Sequence, residues 1–194
     1  MKIEEAKEMI GIVREVLVKT LSGEKFTFKE VPEFLNKERG VFVTLLYYPS
    51  KELKGCIGIV EPRPLKESLI EAAKGAAFND PRFPPLRKNE LDKIIVEISI
   101  LTKPELIDCS PEKYSEKIEI GKDGLIVEFG VLKGLLLPQV AVEHKMSAVE
   151  FLSHTCIKAG LPPMSWMDHR VKVYKFQAEV FGEESPNGPV KRIL

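Results

Sequence analysis

The stretch Lys54-Gly55-Cys56-Ile57-Gly58 places a cysteine between two glycines inside an apolar run of strand-like composition. Glycine weakens a strand, so it usually marks a bulge or a close approach by backbone or ligand. A cysteine that follows a lysine by two residues has the residue types of a reactive thiolate, because a nearby cation lowers the pKa of a thiol. Positions 54 and 56 of a regular strand share a face, and a bulge at Gly55 would break that phase. Cys56 could equally be a small buried hydrophobe, since free cysteine is among the most buried residue types.

A second candidate is Asp80-Pro81-Arg82-Phe83, where prolines stiffen a segment that carries two opposite charges. Arg82 could hold a carboxylate or a phosphate through two parallel hydrogen bonds. An internal pair between Asp80 and Arg82, or a turn that ends a helix, explains the same residues equally well.

Glu97 is a third candidate because it interrupts the apolar run from Ile94 to Leu101. In an antiparallel sheet it would lie on the solvent-facing side. If it faces a cleft instead, it could act as a general acid or base.

The metal-binding residue types lack ligand spacing. His154 and Cys156 lie two residues apart on a predicted helix, so their side chains point to opposite sides and cannot chelate one ion. We therefore expect no metal site. The chain also has no Walker A, GxGxxG, HExxH or GxSxG pattern that would indicate a cofactor or a reaction.

Trp166 could line a ligand cleft, although packing in the core is the default for a tryptophan.

Charge and hydropathy argue against two classes of partner. The 194 residues include 29 Lys and Arg and 29 Asp and Glu, so no net field draws the protein to nucleic acid or to an anionic membrane. No apolar run approaches the length of a membrane span, and the first residues are acidic and amphipathic, unlike a signal peptide. We therefore expect a cytoplasmic protein. The excess of lysine over arginine, with abundant glutamate and only two glutamines, indicates a thermophilic source.

Periodicity predicts an α+β fold, in which helices are interspersed with mostly antiparallel hairpins. The predicted helices cover residues 4–21, 65–77 and 147–159, the last opened by a capping box at Ser147 and Glu150. The predicted strands cover residues 41–47, 55–60, 94–101 and 171–181. Residues 118–137 suggest one or two hairpins with turns at Asp123-Gly124 and Lys133-Gly134. Residues 183–194 are expected to form a loose tail of a single domain spanning 1–194.

Four blocks of this sequence resemble the signatures of a known family, and they occur in the family's order. They are Leu53-Lys54-Gly55-Cys56-Ile57-Gly58, the run from Ala76 to Leu86 around Asp80-Pro81-Arg82-Phe83-Pro84-Pro85, Gly134-Leu135-Leu136-Leu137-Pro138-Gln139-Val140-Ala141, and Cys156 to Pro162 with Trp166. The chain is similar in these blocks to the AMMECR-type domain family, and the resemblance covers most of its length.

The resemblance implies a cytosolic domain with a larger and a smaller lobe and a cleft between them, near the cysteine signature. The family has no established activity. Similar domains are fused or encoded with a Memo-like domain and a radical S-adenosylmethionine enzyme, which implies a modification pathway and a partner of one of those types. This chain has Lys54 where the family usually has arginine, and lysine lacks the two-pronged geometry of a guanidinium.

Two hypotheses follow. In the first, the protein is an enzyme or enzyme component in which Cys56 is the nucleophile and Glu97 or Asp80 moves protons on a small anionic substrate. In the second, it is a binding module for a ligand or a protein, and Cys56 is structural. In either case we expect the ligand to contact the residues Lys54, Gly55, Gly58, Arg82, Phe83, Gln139 and Trp166.

Overall fold

All 194 residues, from Met1 to Leu194, are described by a computed structural model of the chain. The chain divides into two units. The first contains Met1–Leu101 and Glu179–Leu194, and the second contains Thr102–Ala178. None of the helices combines the length and the apolar character that crossing a membrane requires.

The first unit begins with helix α1 (Ile3–Leu21), and helix α2 (Leu65–Lys74) follows its second strand. Apolar residues recur at helical spacing in α1, so that one face is buried while the other carries charges. The buried face of α1 consists of Ala6, Met9, Ile10, Val13, Val16 and Leu17. Helix α2 ends in a π-helical turn (Gly75–Asn79), where the sequence predicted a continuous α-helix to residue 77.

The sheet of the first unit is antiparallel. Strand β1 (Glu38–Tyr47) lies between β2 (Leu53–Pro64) and β3 (Ile94–Leu101), so β2 forms an edge. Successive side chains of a strand point to opposite faces of the sheet, and one face of β1 and β3 packs in the core with the helices. The core residues on that face are Val41, Val43 and Leu45 of β1 and Ile94, Val96, Ile98 and Ile100 of β3. The intervening residues of β1 and β3 face the other side of the sheet.

The second unit has its own hydrophobic core and a set of antiparallel strands. It contains β4 (Glu105–Leu106), β5 (Asp123–Phe129), β6 (Leu132–Leu136), the first part of β7 (Lys172–Glu183), α3 (Pro138–Glu143) and α4 (Ala148–Lys158). β7 pairs with β4 and β5, and β5 pairs with β6, all antiparallel. The buried residues include Leu125, Val127, Phe151, Leu152, Cys156, Trp166 and Val173. Ser147 and Glu150 form the predicted capping box of α4.

Short helical turns complete the two units. The 3-10 turns are Glu33–Asn36, Lys88–Lys93, Pro111–Lys117 and Ser165–Met167. The α+β class predicted from the sequence is confirmed, since antiparallel strands and helices build both units.

Asp123-Gly124 and Lys133-Gly134, which the sequence suggested as turns, lie within strands β5 and β6. The β5–β6 hairpin turns at Gly130 and Val131 instead. A side chain at Gly124 would meet the Phe176 ring at 2.4 Å, and one at Gly134 would meet the Ala159 nitrogen at 2.3 Å. These glycines are therefore explained by close packing on the strands, and the turn prediction there was wrong.

The C-terminal segment also differs from the expected loose tail. β8 (Val190–Arg192) pairs with Phe181–Glu183 at the end of β7. Glu183 is buried, and its carboxylate binds the Arg14 guanidinium and accepts the Val96 N–H at 2.8 Å. Because a buried charge is costly unless it is paired, this network holds the start of the segment against α1 and β3.

Candidate functional site

The main chain of Cys56 is held by Asp80 and Arg82. Cys56 lies opposite Thr44 of β1, on the edge strand β2, and its own N–H and carbonyl turn away from β1. The N–H donates to Asp80 Oδ2 at 2.9 Å, and Arg82 Nη2 donates to the carbonyl at 3.1 Å. We call this pair of residues the Asp80–Arg82 clamp. It occupies the backbone groups that an edge strand otherwise leaves open.

The clamp is closed by its own ion pair. Arg82 donates from Nε to Asp80 Oδ1 at 3.0 Å and from Nη2 to Oδ2 at 2.8 Å. The guanidinium beside it holds the pKa of Asp80 well below its usual range, and the bond from the Cys56 N–H adds to that shift. Asp80 is buried, whereas the Arg82 side chain is 56% exposed, so the arginine covers the carboxylate from solvent.

Gly55 lets the clamp segment approach β2. A Cβ at Gly55 would stand 1.9 Å from the Ala76 carbonyl oxygen in the π-helical turn. No side chain fits in that gap, so the first glycine of the signature is required by a backbone contact. The turn then delivers Asp80 to the Cys56 N–H.

Lys54 faces away from the thiol. The register of β1 and β2 shifts so that Leu45 pairs with Gly55 and Leu46 with Leu53, which leaves Lys54 as the extra residue of a bulge. Its side chain is 2% exposed, and its ammonium donates to the Pro84 carbonyl. Lys54 therefore fastens the far end of the segment 80–84 to β2, and it does not provide a free cation beside Cys56.

The Cys56 thiol lies in a row that crosses three strands. Thr44 donates its hydroxyl to the Cys56 Sγ at 3.2 Å, and Glu97 of β3 lies directly opposite Thr44 on the far side. Because neighbouring strands are ~4.8 Å apart, Cys56 and Glu97 are separated by roughly 10 Å. This is a separation of the two backbones, and the thiol's hydrogen bond goes to Thr44, which stands between Cys56 and Glu97.

Burial raises the pKa of the Cys56 thiol, although the Thr44 hydrogen bond and the Arg82 charge partly oppose that shift. In the nucleophile interpretation of the sequence, Lys54 or a nearby arginine would lower the pKa of this thiol; the alternative interpretation made Cys56 a small buried residue. The pKa of Glu97 is also raised by burial, with Lys51 at 3.9 Å acting against it. In both groups of the row, burial disfavours the charged form.

Two further signature residues pack beside the row. A Cβ at Gly58 would lie 2.2 Å from the Phe42 ring, so this glycine gives the aromatic ring its seat on β2. Phe83 lies under the Arg82 guanidinium, with 5.3 Å from its ring centroid to the arginine Cζ. Such a contact stabilises the exposed cation in one orientation.

Gln139 and Trp166 belong to the second unit. Trp166 is buried in that unit's core, and its indole N–H donates to Ser153 at 3.2 Å. Gln139 is the second residue of α3, and its buried Oε1 has no hydrogen-bond partner. The first unit thus brings together Cys56, Asp80 and Arg82, with Glu97 two strands away.

Thr44 is the residue that the sequence reasoning missed. It is the polar residue of the run Val41-Phe42-Val43-Thr44-Leu45. The alternation of β1 puts it on the face opposite the core, which is a signal that could have placed it beside Cys56. No group of three or more potential metal ligands occurs in the chain.

We expect the Asp80→Asn variant to lose about 2 kcal/mol of unfolding free energy at pH 7, because hydrogen bonds to a charged carboxylate contribute on that order. The folded-state pKa of Asp80 is lowered, so its contribution is complete above the unfolded pKa of about 3.9 and declines progressively as pH falls from there toward the folded-state pKa. Denaturant titrations from pH 7 to pH 2 measure both effects.

The matched control is Asp168→Asn. Asp168 pairs with Arg170 through the same two-residue spacing, but on an exposed surface. The control should change stability much less than Asp80→Asn does. An equal loss in both variants, or a wild-type advantage over Asp80→Asn that does not shrink between pH 5 and pH 2, would contradict the buried role of Asp80.

Comparison with known proteins places residues 10–181 within the model of the AMMECR1 family. The protein MJ0810 of Methanocaldococcus jannaschii is 51% identical over 196 residues, which cover 99% of this chain and 98% of the relative. The protein PH0010 of Pyrococcus horikoshii is 54% identical over 168 residues, or 84% of this chain and 82% of the relative. Relatives from thermophilic archaea match the compositional expectation.

The fold is similar to a solved structure. The crystal structure of the uncharacterized protein PH0010 from Pyrococcus horikoshii superposes with a TM-score of 0.92 at 48% sequence identity. The match covers 99% of this chain and 98% of the other.

Proposed function

The chain belongs to the AMMECR1 family, and we propose that its first unit is a binding module in which Cys56 is structural and Arg82 receives an anionic group of the ligand. The observation that carries this proposal is the Asp80–Arg82 clamp. It uses both backbone groups of Cys56 and leaves the thiol with the Thr44 hydroxyl as its hydrogen-bond partner, while burial raises the pKa of that thiol. A cysteine nucleophile needs an adjacent base or a lowered pKa.

Arg82 supports the ligand-binding part of the proposal. The clamp uses its Nε and Nη2, so the Nη1 group takes no part in holding Asp80 or Cys56. The side chain is more than half exposed and is oriented by Phe83 beneath it. A guanidinium held in one orientation with a free edge suits a carboxylate or a phosphate, which accept hydrogen bonds in its plane.

Inorganic phosphate and acetate are the probes for this proposal. We expect either ion to shift the amide resonances of residues 56 and 82 in a saturable titration followed by NMR. The Arg82→Gln variant should weaken that binding by about tenfold or more, because it removes a charge-assisted contact. The Cys56→Ser variant should bind as the wild type does.

Arg63→Gln is the matched control, since Arg63 lies on β2, the strand of Cys56, and pairs with Glu71 at the surface. Its affinity for phosphate and acetate should not change. Loss of binding in Cys56→Ser, or equal loss in Arg63→Gln and Arg82→Gln, would contradict the assignment.

A thiol enzyme acting on a small anionic substrate is the second candidate, and one observation favours it. The Cys56 side chain is only partly buried, and the Thr44 hydroxyl and the Arg82 charge both act to lower its pKa. In that case Glu97 would exchange protons through an intervening water or substrate group. For either candidate function we also propose a cytoplasmic location and a place in a modification pathway. The proposed partner is a Memo-like or radical S-adenosylmethionine protein, and we propose no binding to nucleic acid or membranes.

The alkylation rate of Cys56 separates the two candidates. We expect slow modification in the folded protein with a midpoint above the ordinary thiol pKa of about 8.5, because burial opposes the thiolate. Peptide mass mapping from pH 6 to pH 10 measures it, with Cys109 and Cys156 as internal references. Rapid modification of Cys56 alone, with a midpoint well below 8.5, would favour the enzyme.

A further inference from the structure

We propose that the second unit contains a separate binding pocket for a small zwitterion that carries an ammonium and a carboxylate, such as an amino acid. The pocket has a volume of about 200 Å³. It is lined by Thr102, Glu105, Asp123, Lys175, Phe176 and Gln177. None of these residues belongs to the Cys56 row or the Asp80–Arg82 clamp, so the inference is independent of the function proposed above.

Strand register brings the polar residues together. Asp123 of β5 pairs with Gln177 of β7, and Glu105 of β4 pairs with Lys175 of β7. Residues directly opposite each other in a sheet share a face, and so do residues two apart on one strand. Thr102 completes the group, because its hydroxyl oxygen accepts the Gln177 N–H at 2.8 Å and its N–H donates to the Gln177 carbonyl at 2.8 Å.

Asp123 is the buried charge of the pocket. It is 3% exposed, and one oxygen accepts the Glu119 N–H at 2.9 Å. Oδ1, the other oxygen, has only the Gln177 side-chain amide at 3.4 Å. The Lys175 ammonium stands 3.7 Å from Oδ2, the oxygen that accepts the Glu119 N–H, and this is beyond hydrogen-bond distance. An ionised carboxylate accepts about four hydrogen bonds, and burial without them is costly. The ammonium of a ligand would supply the missing donors.

Lys175 provides the opposite charge. One of its three donors is taken by the Lys117 carbonyl at 3.1 Å, which leaves donors for the carboxylate of a ligand. The Thr102 hydroxyl proton is also available, since its oxygen is the acceptor in the bond to Gln177.

The charge balance and the volume select the class of ligand. A bare anion would face Asp123 and Glu105, and a bare cation would face Lys175, whereas a zwitterion satisfies both ends. The volume of about 200 Å³ lies below the usual range of roughly 300–1,000 Å³ for drug-sized ligands. The volume of the pocket therefore matches a small amino acid better than a nucleotide.

Isothermal titration calorimetry of the full chain with each of the common amino acids tests the inference. Ethylamine and propionate are the matched probes for alanine, because each keeps one of its two charged groups. We expect at least one small amino acid to bind saturably, and the matched single-charge compounds to bind about tenfold more weakly or worse. Asp123→Asn and Lys175→Met should each reduce the affinity by a similar factor.

Lys172→Met is the control variant, since Lys172 lies exposed on the same strand outside the pocket. It should bind as the wild type does. If Asp123→Asn does not fold, Lys175→Met and Thr102→Val decide the question, because both positions are only partly buried. Binding by none of the amino acids at millimolar concentration, equal binding of ethylamine and alanine, or unchanged affinity in the pocket variants would overturn the proposal.

Discussion

One carboxylate organises the candidate site of the first unit. Asp80 binds the Cys56 N–H with one oxygen and the Arg82 guanidinium with both, while Arg82 returns to the Cys56 carbonyl. Removing the carboxylate would leave an edge-strand N–H and an arginine without their acceptor. The other features of the signature support this arrangement, since Gly55 admits the backbone of the π-helical turn and Lys54 ties Pro84 to β2.

The same arrangement accounts for the character of the thiol. A backbone fixed at both ends keeps Cys56 on the strand, where burial raises the pKa of its thiol and Thr44 is its only hydrogen-bond partner. The nearest carboxylate in the row, Glu97, is two strands away. A central cysteine in a family signature is thus compatible with a packing role, and the exposed edge of Arg82 is the better candidate for ligand contact.

The sequence predicted the elements better than the contacts. Helical spacing located α1, and the capping box located the start of α4. β-branched and aromatic residues located β1, and an apolar run whose second half alternates located β3. All of these are local patterns. The internal Asp80–Arg82 pair was one of two equal interpretations. The role of Lys54 was not predictable, since it depends on a bulge and on a carbonyl thirty residues away. The turn assignments at Gly124 and Gly134 were wrong because glycine serves close packing as readily as it serves turns.

Hydrogen exchange at the Cys56 amide tests the role of Asp80 most directly. In the wild type we expect this amide to be protected about as well as that of Ile57, the next residue, whose N–H faces β1 in the ladder. In the Asp80→Ala variant the Cys56 amide should exchange at least about tenfold faster while Ile57 remains protected. Equal protection of both amides in the variant would contradict the clamp as the basis of the site.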